Sequence, residues 1–465
     1  MLFSSITFLY YFLPYTLLIY FLVPKNRKNV VLFIASLFFY AWGEPKYILL
    51  MLLSIFVGFI FGLFIERYHE KKQSKYLLIT SILIYGGFLI YFKYADFLVI
   101  NLNLVGFNFP HVEVALPIGI SFYTFQIISY LIDVYRCDVK AQRNLLNLAT
   151  YVAMFPQLIA GPIVRYRDIE AELNQRIYSL KSSALGIQRF TIGLTKKIII
   201  ANGLAELCSV FRTTSDPSVI YYWMYAIAFT LHIYFDFSGY SDMAIGLGEI
   251  FGFHFPENFQ YPYLSTSITD FWRRWHMSLG SWFRDYVYIP LGGNRVSKGR
   301  WLLNITIVWV LTGLWHGASW NFVFWGIGFG IILIIEKLWL LKYLKKFRII
   351  NHLYVMFVVI LSFVLFNATN LHEAFSDITN MFGMGTIPLV SKEALYYLNS
   401  YFMLFLIAII ACTPLFKKIF LYIKKSTLGA YIINIVEPFA IVVMLLIVTA
   451  YLVDGSFNPF IYFRF

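Results

Sequence analysis

The chain has 465 residues, of which 60% are hydrophobic, 20% are aromatic and only 13% are charged. Soluble domains have roughly 45–50% apolar and about 25% charged residues, so this composition excludes a disordered chain, a coiled coil and an ordinary cytosolic enzyme. Lys and Arg number 37 against 24 Asp and Glu, a net charge of +13. Because the basic residues fall in short breaks between apolar runs, they fit a membrane protein, and no nucleic-acid partner is predicted.

Apolar runs recur along the whole chain and predict an all-α polytopic membrane protein in a lipid bilayer, with about 11–12 membrane helices and short re-entrant or interfacial helices. We expect one membrane-embedded domain over 1–465, divided into N-terminal helices (1–110), a core (111–340), C-terminal helices (341–453) and an aromatic tail (454–465). The predicted helices are roughly 3–23, 30–44, 47–65, 76–99, 115–135, 147–164, 185–208, 219–250, 301–335, 352–367, 400–416 and 431–453.

Basic clusters indicate which loops face the cytoplasm. One cluster follows each of the first, third and fifth predicted helices, and two more lie near the end of the chain. If all five face the cytoplasm, the N-terminus and the tail 454–465 lie outside, and the protein is predicted in a bacterial cytoplasmic (inner) membrane. The clusters are Lys25, Arg27 and Lys28; Arg67, Lys71, Lys72 and Lys75; Arg136, Lys140 and Arg143; Lys337, Lys342, Lys345, Lys346 and Arg348; and Lys417, Lys418, Lys424 and Lys425.

His316 is the only titratable side chain in the uncharged stretch 301–335, where it lies within LTGLWHGASWNFVFWG. An ionisable group inside an apolar span is costly and is typical of a functional site. Its neighbours, Asn321 among them, are small or polar, and they leave room for a tunnel or for close helix packing. The alternative is a neutral histidine that hydrogen-bonds a neighbouring helix.

A second candidate is the segment 270–293, DFWRRWHMSLGSWFRDYVYIPLGG, which alternates charged and aromatic residues. His276 is a candidate second base or hydrogen-bond donor, and Trp275 is a supporting residue. Guanidinium groups bind phosphates through charge-assisted hydrogen bonds. The candidate donor-binding residues are therefore Arg273, Arg274 and Arg284. The alternative is an interfacial amphipathic helix with an aromatic belt.

A third segment, HIYFDFSGYSD at 232–242, places His232, Asp236 and Tyr240 on one helix face. Because the set lacks a third ligand at metal-site spacing, no metal site is predicted. Buried Asp236 and Asp242 require partners. We expect Asp236, Tyr240 and Asp242 to hold helices together around the site.

Pro and Gly interrupt two apolar runs, LPIGISFYTFQ at 116–126 and FPQLIAGPIVRYR at 155–167. Backbone breaks at membrane depth are tolerated where they are buried in protein or line a cavity, so these are predicted tunnel walls. The tail SFNPFIYFRF is too aromatic to remain in water, and we expect it to bury itself in the membrane or in the protein. The sequence contains no G-x-x-x-x-G-K-[ST], G-x-G-x-x-G, H-E-x-x-H or G-x-S-x-G motif, which excludes ATPases, dinucleotide enzymes, zincins and α/β-hydrolases.

Taken together, five blocks resemble the membrane-bound O-acyltransferase (MBOAT) family, in particular its bacterial alginate O-acetylation branch. The blocks are LPIGISFYTFQIISYLIDVYR at 116–136, FPQLIAGPIVRY at 155–166, IYFDFSGYSDMAIG at 233–246, FWRRWHMSLGSWFRDYVYIPLGG at 271–293 and LTGLWHGASWNFVFWG at 311–326. They run through most of the chain. The resemblance implies a helical fold around a central tunnel that crosses the membrane.

The resemblance also implies residue roles. His316 corresponds to the usual catalytic histidine and His276 to the second characteristic one, while Tyr462 in the tail corresponds to a proposed acyl-carrying tyrosine. No soluble SGNH-type domain is attached, so a separate extracytoplasmic SGNH-type transferase partner is implied. We expect no bound cofactor; the thioester acyl donor, acetyl-CoA or an acylated carrier protein, is a substrate.

The sequence therefore predicts transfer of an acyl group, acetyl by resemblance, from the cytoplasmic side toward a polysaccharide outside. His316 would act as general base, because burial in a tunnel keeps an imidazole neutral. Within the family, D-alanyl transfer to teichoic acid and peptidoglycan O-acetylation remain alternatives. From other classes, the alternatives are a transporter or flippase of a lipid-linked sugar, which would use similar helix breaks, and a structural subunit of a glycan synthase.

Overall fold

The computed structural model describes residues 1–112, 114–344, 348–455 and 459. Every regular element in these ranges is helical. The chain forms two compact units, one made of 1–190 with 241–256, the other of 191–240 with 257–465. The sequence-based subdivision at 110, 340 and 453 stays a prediction.

The first unit is built mainly from short and medium helices near the N-terminus. Three of its segments are π-helical or 3-10 turns: Thr7–Phe12, Lys25–Arg27 and Ile90–Tyr94. The helices are α1 (Leu13–Leu22), α2 (Lys28–Gly43), α3 (Ile48–Arg67), α4 (Lys72–Leu89), α5 (Ala95–Leu104), α6 (Ile120–Tyr135), α7 (Leu145–Ala153), α8 (Phe155–Leu158), α9 (Tyr166–Asn174) and α10 (Leu180–Thr195), whose last turn belongs to the second unit.

The Pro- and Gly-containing breaks of this unit are buried in protein, and their predicted role as tunnel walls stays a prediction. Gly119 has φ +78°, a conformation that side chains disfavour, and it turns the chain into α6, which is buried along almost its whole length. All four residues of α8 are buried as well, and Ser36 Oγ accepts a hydrogen bond of 3.0 Å from the Phe155 backbone N–H. Burial with hydrogen bonding explains how irregular backbone is tolerated here.

The second unit carries the rest of the chain. It contains π-helical turns at Lys196–Ala201, Arg284–Tyr288 and Glu336–Leu340, and a 3-10 turn at Pro262–Leu264. Its helices are α11 (Asn202–Phe211), α12 (Val219–Phe251, whose residues from 241 onward belong to the first unit), α13 (Ile268–Trp272), α14 (Met277–Phe283), α15 (Lys298–His316), α16 (Trp320–Ile335), α17 (Leu341–Leu344), α18 (Arg348–Asn367), α19 (Leu371–Met381), α20 (Lys392–Ala411), α21 (Leu415–Lys424) and α22 (Thr427–Val453).

Six helical stretches among the described residues are long and apolar enough to cross a membrane. They confirm the predicted class, an all-α polytopic membrane protein, while the expected number of about 11–12 membrane helices stays a prediction. The six are Ile48–Arg67, Lys72–Leu104, Trp320–Leu344, Ile349–Asn367, Lys392–Ala411 and Thr427–Val453.

The prediction of a single helix over 301–335 is wrong. The structure ends α15 at His316, continues through an extended Gly317 (φ −179°, ψ 161°) and begins α16 at Trp320. An apolar window cannot detect this turn, because Gly317, Ala318 and Ser319 are too small and too neutral in hydropathy to interrupt it. The uncharged stretch is therefore a helical hairpin with His316 at its tip.

Candidate functional site

The hairpin of α15 and α16 is held together by direct backbone contact. A Cβ atom placed on Gly326 would lie 2.3 Å from the Trp309 carbonyl oxygen, and one on Gly313 would lie 2.3 Å from the Phe322 carbonyl oxygen. Only glycine permits so close an approach. The small residues noted in the sequence around His316 thus serve close helix packing, which fixes where the tip of the hairpin lies.

His316 is 4% exposed and lies among aromatic rings. Its imidazole centroid is 5.0 Å from the ring of Trp315, 5.1 Å from Trp325 and 5.2 Å from Phe366, with interplanar angles of 83°, 80° and 78°. Edge-to-face contacts of this kind restrict the rotation of the imidazole. The packing of three helical segments therefore sets the direction in which its nitrogen atoms point.

Asn321 connects the tip of the hairpin to the end of α18. Its Nδ2 donates a hydrogen bond of 2.8 Å to the carbonyl oxygen of Ala368, and its Oδ1 accepts one from Ser319 Oγ. Because Phe366 lies two residues before Ala368, this bond also helps to hold the Phe366 ring against His316. Asn321 is thus placed where a supporting residue is expected.

His276 lies between the short helices α13 and α14, with its backbone in the left-handed region at φ 45°, ψ 53°. Non-glycine residues adopt this conformation at a cost, and such positions cluster at functional sites. The ring is 2% exposed and stands perpendicular to Phe237 at a centroid distance of 4.7 Å. Burial lowers the pKa of His276 to about 3, so its imidazole is neutral at physiological pH.

Asn258 is the described polar neighbour of His276. Its Oδ1 lies 3.1 Å from His276 Nδ1 and accepts hydrogen bonds from the Ser278 hydroxyl at 2.9 Å and the Ser278 backbone N–H at 3.3 Å. The Asn258 carbonyl oxygen also accepts a bond of 3.0 Å from the Met277 N–H. Asn258 could not be singled out from the sequence, since an isolated Asn in a polar stretch has no distinguishing pattern.

Trp315 brings the two histidines together. Its indole is 5.6 Å from the His276 ring and 5.0 Å from the His316 ring, measured between centroids. Two motifs that are separate in the sequence therefore meet at one buried side chain. The two titratable side chains thus share one buried neighbour.

Glu336 holds the segment that leads to His276. This fully buried carboxylate accepts hydrogen bonds from the backbone N–H groups of Ile268 at 2.6 Å and Thr269 at 2.8 Å, and from the Thr269 hydroxyl at 2.6 Å. It thereby satisfies the first N–H groups of α13, which have no partner within the helix. Sequence reasoning missed this residue, although a single Glu directly after an uncharged stretch was a detectable signal.

The three candidate donor-binding arginines lie in different environments. Arg273 is exposed, while Arg274 pairs with Asp270 at 2.9 Å and Arg284 with Asp285 at 2.7 Å. Surface pairs of this kind contribute about 0–1 kcal/mol, so they leave the guanidinium groups accessible to a stronger ligand. Trp275 differs from them, because it is buried against Phe259, Phe271 and Phe363 and serves as core.

Buried Asp236 and half-buried Asp242 have the partners that the sequence required. Asp236 pairs with Lys197 at 2.5 Å, and both side chains are almost fully buried. In the first unit, Asp242 Oδ1 accepts hydrogen bonds from Arg189 Nε at 3.1 Å and Nη2 at 3.0 Å. Tyr240 is buried as expected. Lys197 was detectable in the sequence as a charge inside a predicted helix, yet it was overlooked.

Lys197 Nζ also donates a hydrogen bond to the carbonyl oxygen of Pro459 in the tail. Tyr462, the predicted acyl relay, lies outside the described residues. His232 Nδ1 lies 2.8 Å from the Ala201 carbonyl oxygen, which satisfies that nitrogen within the core. Within the described ranges, no three His, Cys, Asp or Glu side chains come together as metal ligands.

Comparison with known proteins decides the family. The sequence profile of MBOAT, the membrane-bound O-acyltransferase family, matches residues 34–376, a range that includes both histidines and the hairpin. The chain belongs to this family. It is therefore an O-acyltransferase and a multi-pass membrane protein, as the motifs predicted. Tyr462 lies beyond the matched range.

Three relatives illustrate the range of activities in the family. The chain is 44% identical over 392 residues to the probable alginate O-acetylase AlgI of Azotobacter vinelandii, with 83% of this chain and 79% of the relative covered. It is 35% identical over 448 residues to the peptidoglycan O-acetyltransferase of Helicobacter pylori, covering 86% and 83%. It is 29% identical over 244 residues to the teichoic acid D-alanyltransferase of Bacillus subtilis, covering 50% and 61%.

Proposed function

We propose that the protein transfers an acetyl group from a cytoplasmic thioester to hydroxyl groups destined for an extracytoplasmic polysaccharide, with His316 as the general base. The observation that carries this proposal is the meeting of two buried histidines on the Trp315 indole. The acetyl group is supported by the probable alginate O-acetylases among its relatives, which are up to 44% identical to the chain.

The proposed reaction breaks a C–S bond and forms a C–O bond. His316 removes the proton from an acceptor hydroxyl as its oxygen attacks the thioester carbonyl carbon. The tetrahedral intermediate then expels the thiolate, which takes up the proton held by the imidazolium, so that ester and free thiol are the products. A well-placed general base accelerates such a step by about 10²–10⁴-fold.

We place the donor on the side of the 270–300 segment. Exposed Arg273 and the surface-paired Arg274 and Arg284 are suited to the phosphates of coenzyme A or of a carrier protein's prosthetic arm, because guanidinium groups form bidentate bonds with phosphate oxygens. Lys298 and Arg300, at the start of α15, add exposed positive charge to the same segment. The basic clusters of the sequence support a cytoplasmic location for this side.

The acceptor is proposed to be Tyr462, whose phenolic ester would then pass the acetyl group to a separate SGNH-type transferase outside. The Lys197 bond to Pro459 supports a tail that packs against the core of the second unit. This role requires the tail to lie outside, and we propose a bacterial inner membrane with both termini outside.

The central experiment replaces His316 with Gln and measures ester-linked acetyl on the surface glycan together with the amount of protein in the membrane. We expect loss of acetylation by at least about 10²-fold with normal expression. The exposed His372, changed to Gln, is the matched control and should keep wild-type acetylation. Acetylation that persists in the His316→Gln variant would remove His316 as the base.

The Tyr462→Phe variant tests the relay separately. It keeps the ring and removes only the hydroxyl, so a relay predicts loss of glycan esters while purified protein still cleaves the thioester slowly to free thiol. Full acetylation in this variant would leave the tail as an anchor. Release of thiol from the donor also separates an enzyme from a flippase of lipid-linked sugars, which would release none.

Peptidoglycan O-acetylation is the second candidate, because the peptidoglycan O-acetyltransferase relative aligns over 86% of the chain. D-alanyl transfer has weaker support, since the teichoic acid D-alanyltransferase relative covers half of the chain. Mass analysis of surface esters in a deletion strain distinguishes polysaccharide O-acetylation, peptidoglycan O-acetylation and D-alanyl transfer, because each leaves a different ester on a different polymer. Loss of the polymer itself would instead indicate a structural subunit of a synthase.

A further inference from the structure

We propose that Asn258 is a positioning residue that fixes the proton of His276 on Nδ1, so that His276 offers the lone pair of Nε2 to the reaction. A neutral imidazole carries one proton, and the hydrogen bond made by one nitrogen decides which nitrogen holds it. The consequence for catalysis rests on the proposed acyl transfer, but the assignment of the proton does not.

The orientation of the Asn258 amide is the first step. An amide oxygen and nitrogen have nearly the same shape, so their assignment must come from the groups around them. Here the Ser278 backbone N–H points at the Asn258 atom that also meets His276. Because a backbone N–H can only donate, this atom must be the acceptor, which is the amide oxygen Oδ1.

The tautomer follows from that orientation. Oδ1 has no hydrogen, so the contact of 3.1 Å to His276 is a hydrogen bond only if Nδ1 carries the proton. The pKa of His276, lowered by burial to about 3, keeps a second proton off the ring. Nε2 then bears a lone pair that can accept a hydrogen bond.

Three side chains from different segments contact the His276 ring. Phe237 approaches from α12, Asn258 from the segment before α13, and Trp315 from α15, and none of the three carries a charge. Asn258 itself is 1% exposed and is anchored by its own carbonyl oxygen to the Met277 N–H at 3.0 Å. Rotation of the side-chain amide away from His276 would also break the two hydrogen bonds that Oδ1 accepts from Ser278.

This assignment changes the role expected of His276. A histidine that donates to a developing oxyanion needs a proton on the nitrogen that faces the substrate, whereas Nε2 here lacks one. His276 is thus suited to accept a hydrogen bond from the acceptor hydroxyl and so to orient it. The Asn258 amide itself adds no charge beside the imidazole, unlike the carboxylate that assists histidine in a Ser-His-Asp triad.

The test uses the full-length protein labelled with ¹⁵N-histidine in lipid nanodiscs. The His276 signals are assigned by their loss in the His276→Gln variant, and the chemical shifts of the two nitrogens report which one is protonated. We expect protonated Nδ1 and unprotonated Nε2 in the wild type. Protonated Nε2 in the wild type would overturn the proposal.

Three variants isolate the contribution of Asn258. Asn258→Ala removes the acceptor and should shift the proton wholly or partly to Nε2, with acyl transfer lowered about 10²-fold or more. Asn258→Asp keeps an oxygen at the same position and should keep the proton on Nδ1. Ser278→Ala is the matched control, because it removes the hydroxyl but retains the backbone N–H that orients the amide.

An unchanged His276 tautomer in folded Asn258→Ala protein would show that Asn258 is not the determinant. Folding is checked by size-exclusion elution and thermal midpoint; if Asn258→Ala does not fold, the Asn258→Asp and Ser278→Ala spectra decide, since an unprotonated Nδ1 in either contradicts the proposal. The spectra do not depend on activity, so failure of the acetyl-transfer proposal, seen as normal acetylation in His316→Gln, is distinguishable from failure of this one.

Discussion

His316 ends a helix of 19 residues and its described neighbours are aromatic rings, whereas His276 lies in an irregular segment and is positioned by polar atoms. The position of His316 depends on how closely α15 and α16 pack, and therefore on the volume of the side chains between these two helices. The position of His276 depends on a few hydrogen bonds, made by Asn258, Ser278 and Glu336. Changes in volume and changes in hydrogen bonding should therefore affect the two halves of the site differently.

The largest effect is expected where the His276 segment loses its buried acceptor. Glu336→Ala leaves the N–H groups of Ile268 and Thr269 without their partner, and we expect a loss of about 3–5 kcal/mol in unfolding free energy. Glu336→Gln, which keeps one oxygen, should lose less, about 1–3 kcal/mol. Thermal unfolding in nanodiscs measures both, and equal midpoints for the two variants would contradict this account of the segment.

A smaller effect is expected from a volume change in the His316 hairpin. Gly326→Ala forces a methyl group against the Trp309 carbonyl oxygen, so α15 and α16 must separate, at a cost of about 1–3 kcal/mol. Acyl transfer should fall with it, because Trp325 and His316 move apart. Gly328→Ala is the matched control, since its Cβ meets no atom within 4 Å. Equal activity and stability of the two variants would show that the packing is not tight.

The smallest effect near neutral pH comes from the proton balance of His276. Its folded pKa of about 3 lies below the ordinary value of 6.5, so between these values the unfolded chain binds a proton that the folded protein does not. The contribution to stability is complete above pH 6.5 and declines as the pH falls toward 3, by up to about 1.4 kcal/mol per unit.

His276→Gln should therefore flatten the loss of thermal stability between pH 6.5 and pH 4.5, whereas His372→Gln, at an exposed site, should leave it unchanged. Stability profiles in nanodiscs across this range make the comparison. The same acid dependence in wild type and His276→Gln would mean that other groups cause it.

The residues of the site that the sequence could predict are ionisable side chains that are unusual in their stretch of a membrane protein. His316 in an uncharged stretch, His276 among arginines and Asp236 in an apolar helix are each costly enough to be noticed. Asn258 was not predictable, because a neutral amide in a polar loop costs nothing until a buried partner faces it. The turn after His316 was also hidden, since it consists of small residues with little hydropathy of their own.

The buried pair of Lys197 and Asp236 has a consequence for how the protein is assembled in the membrane. A lone lysine or aspartate at the centre of an inserting helix costs roughly 2.5–3.5 kcal/mol, and the pair removes most of that cost only when both partners are present. The ribosome delivers Lys197 first, so its segment should dwell near the insertion machinery until the helix bearing Asp236 arrives. The two helices should then leave it together, as one step of biogenesis.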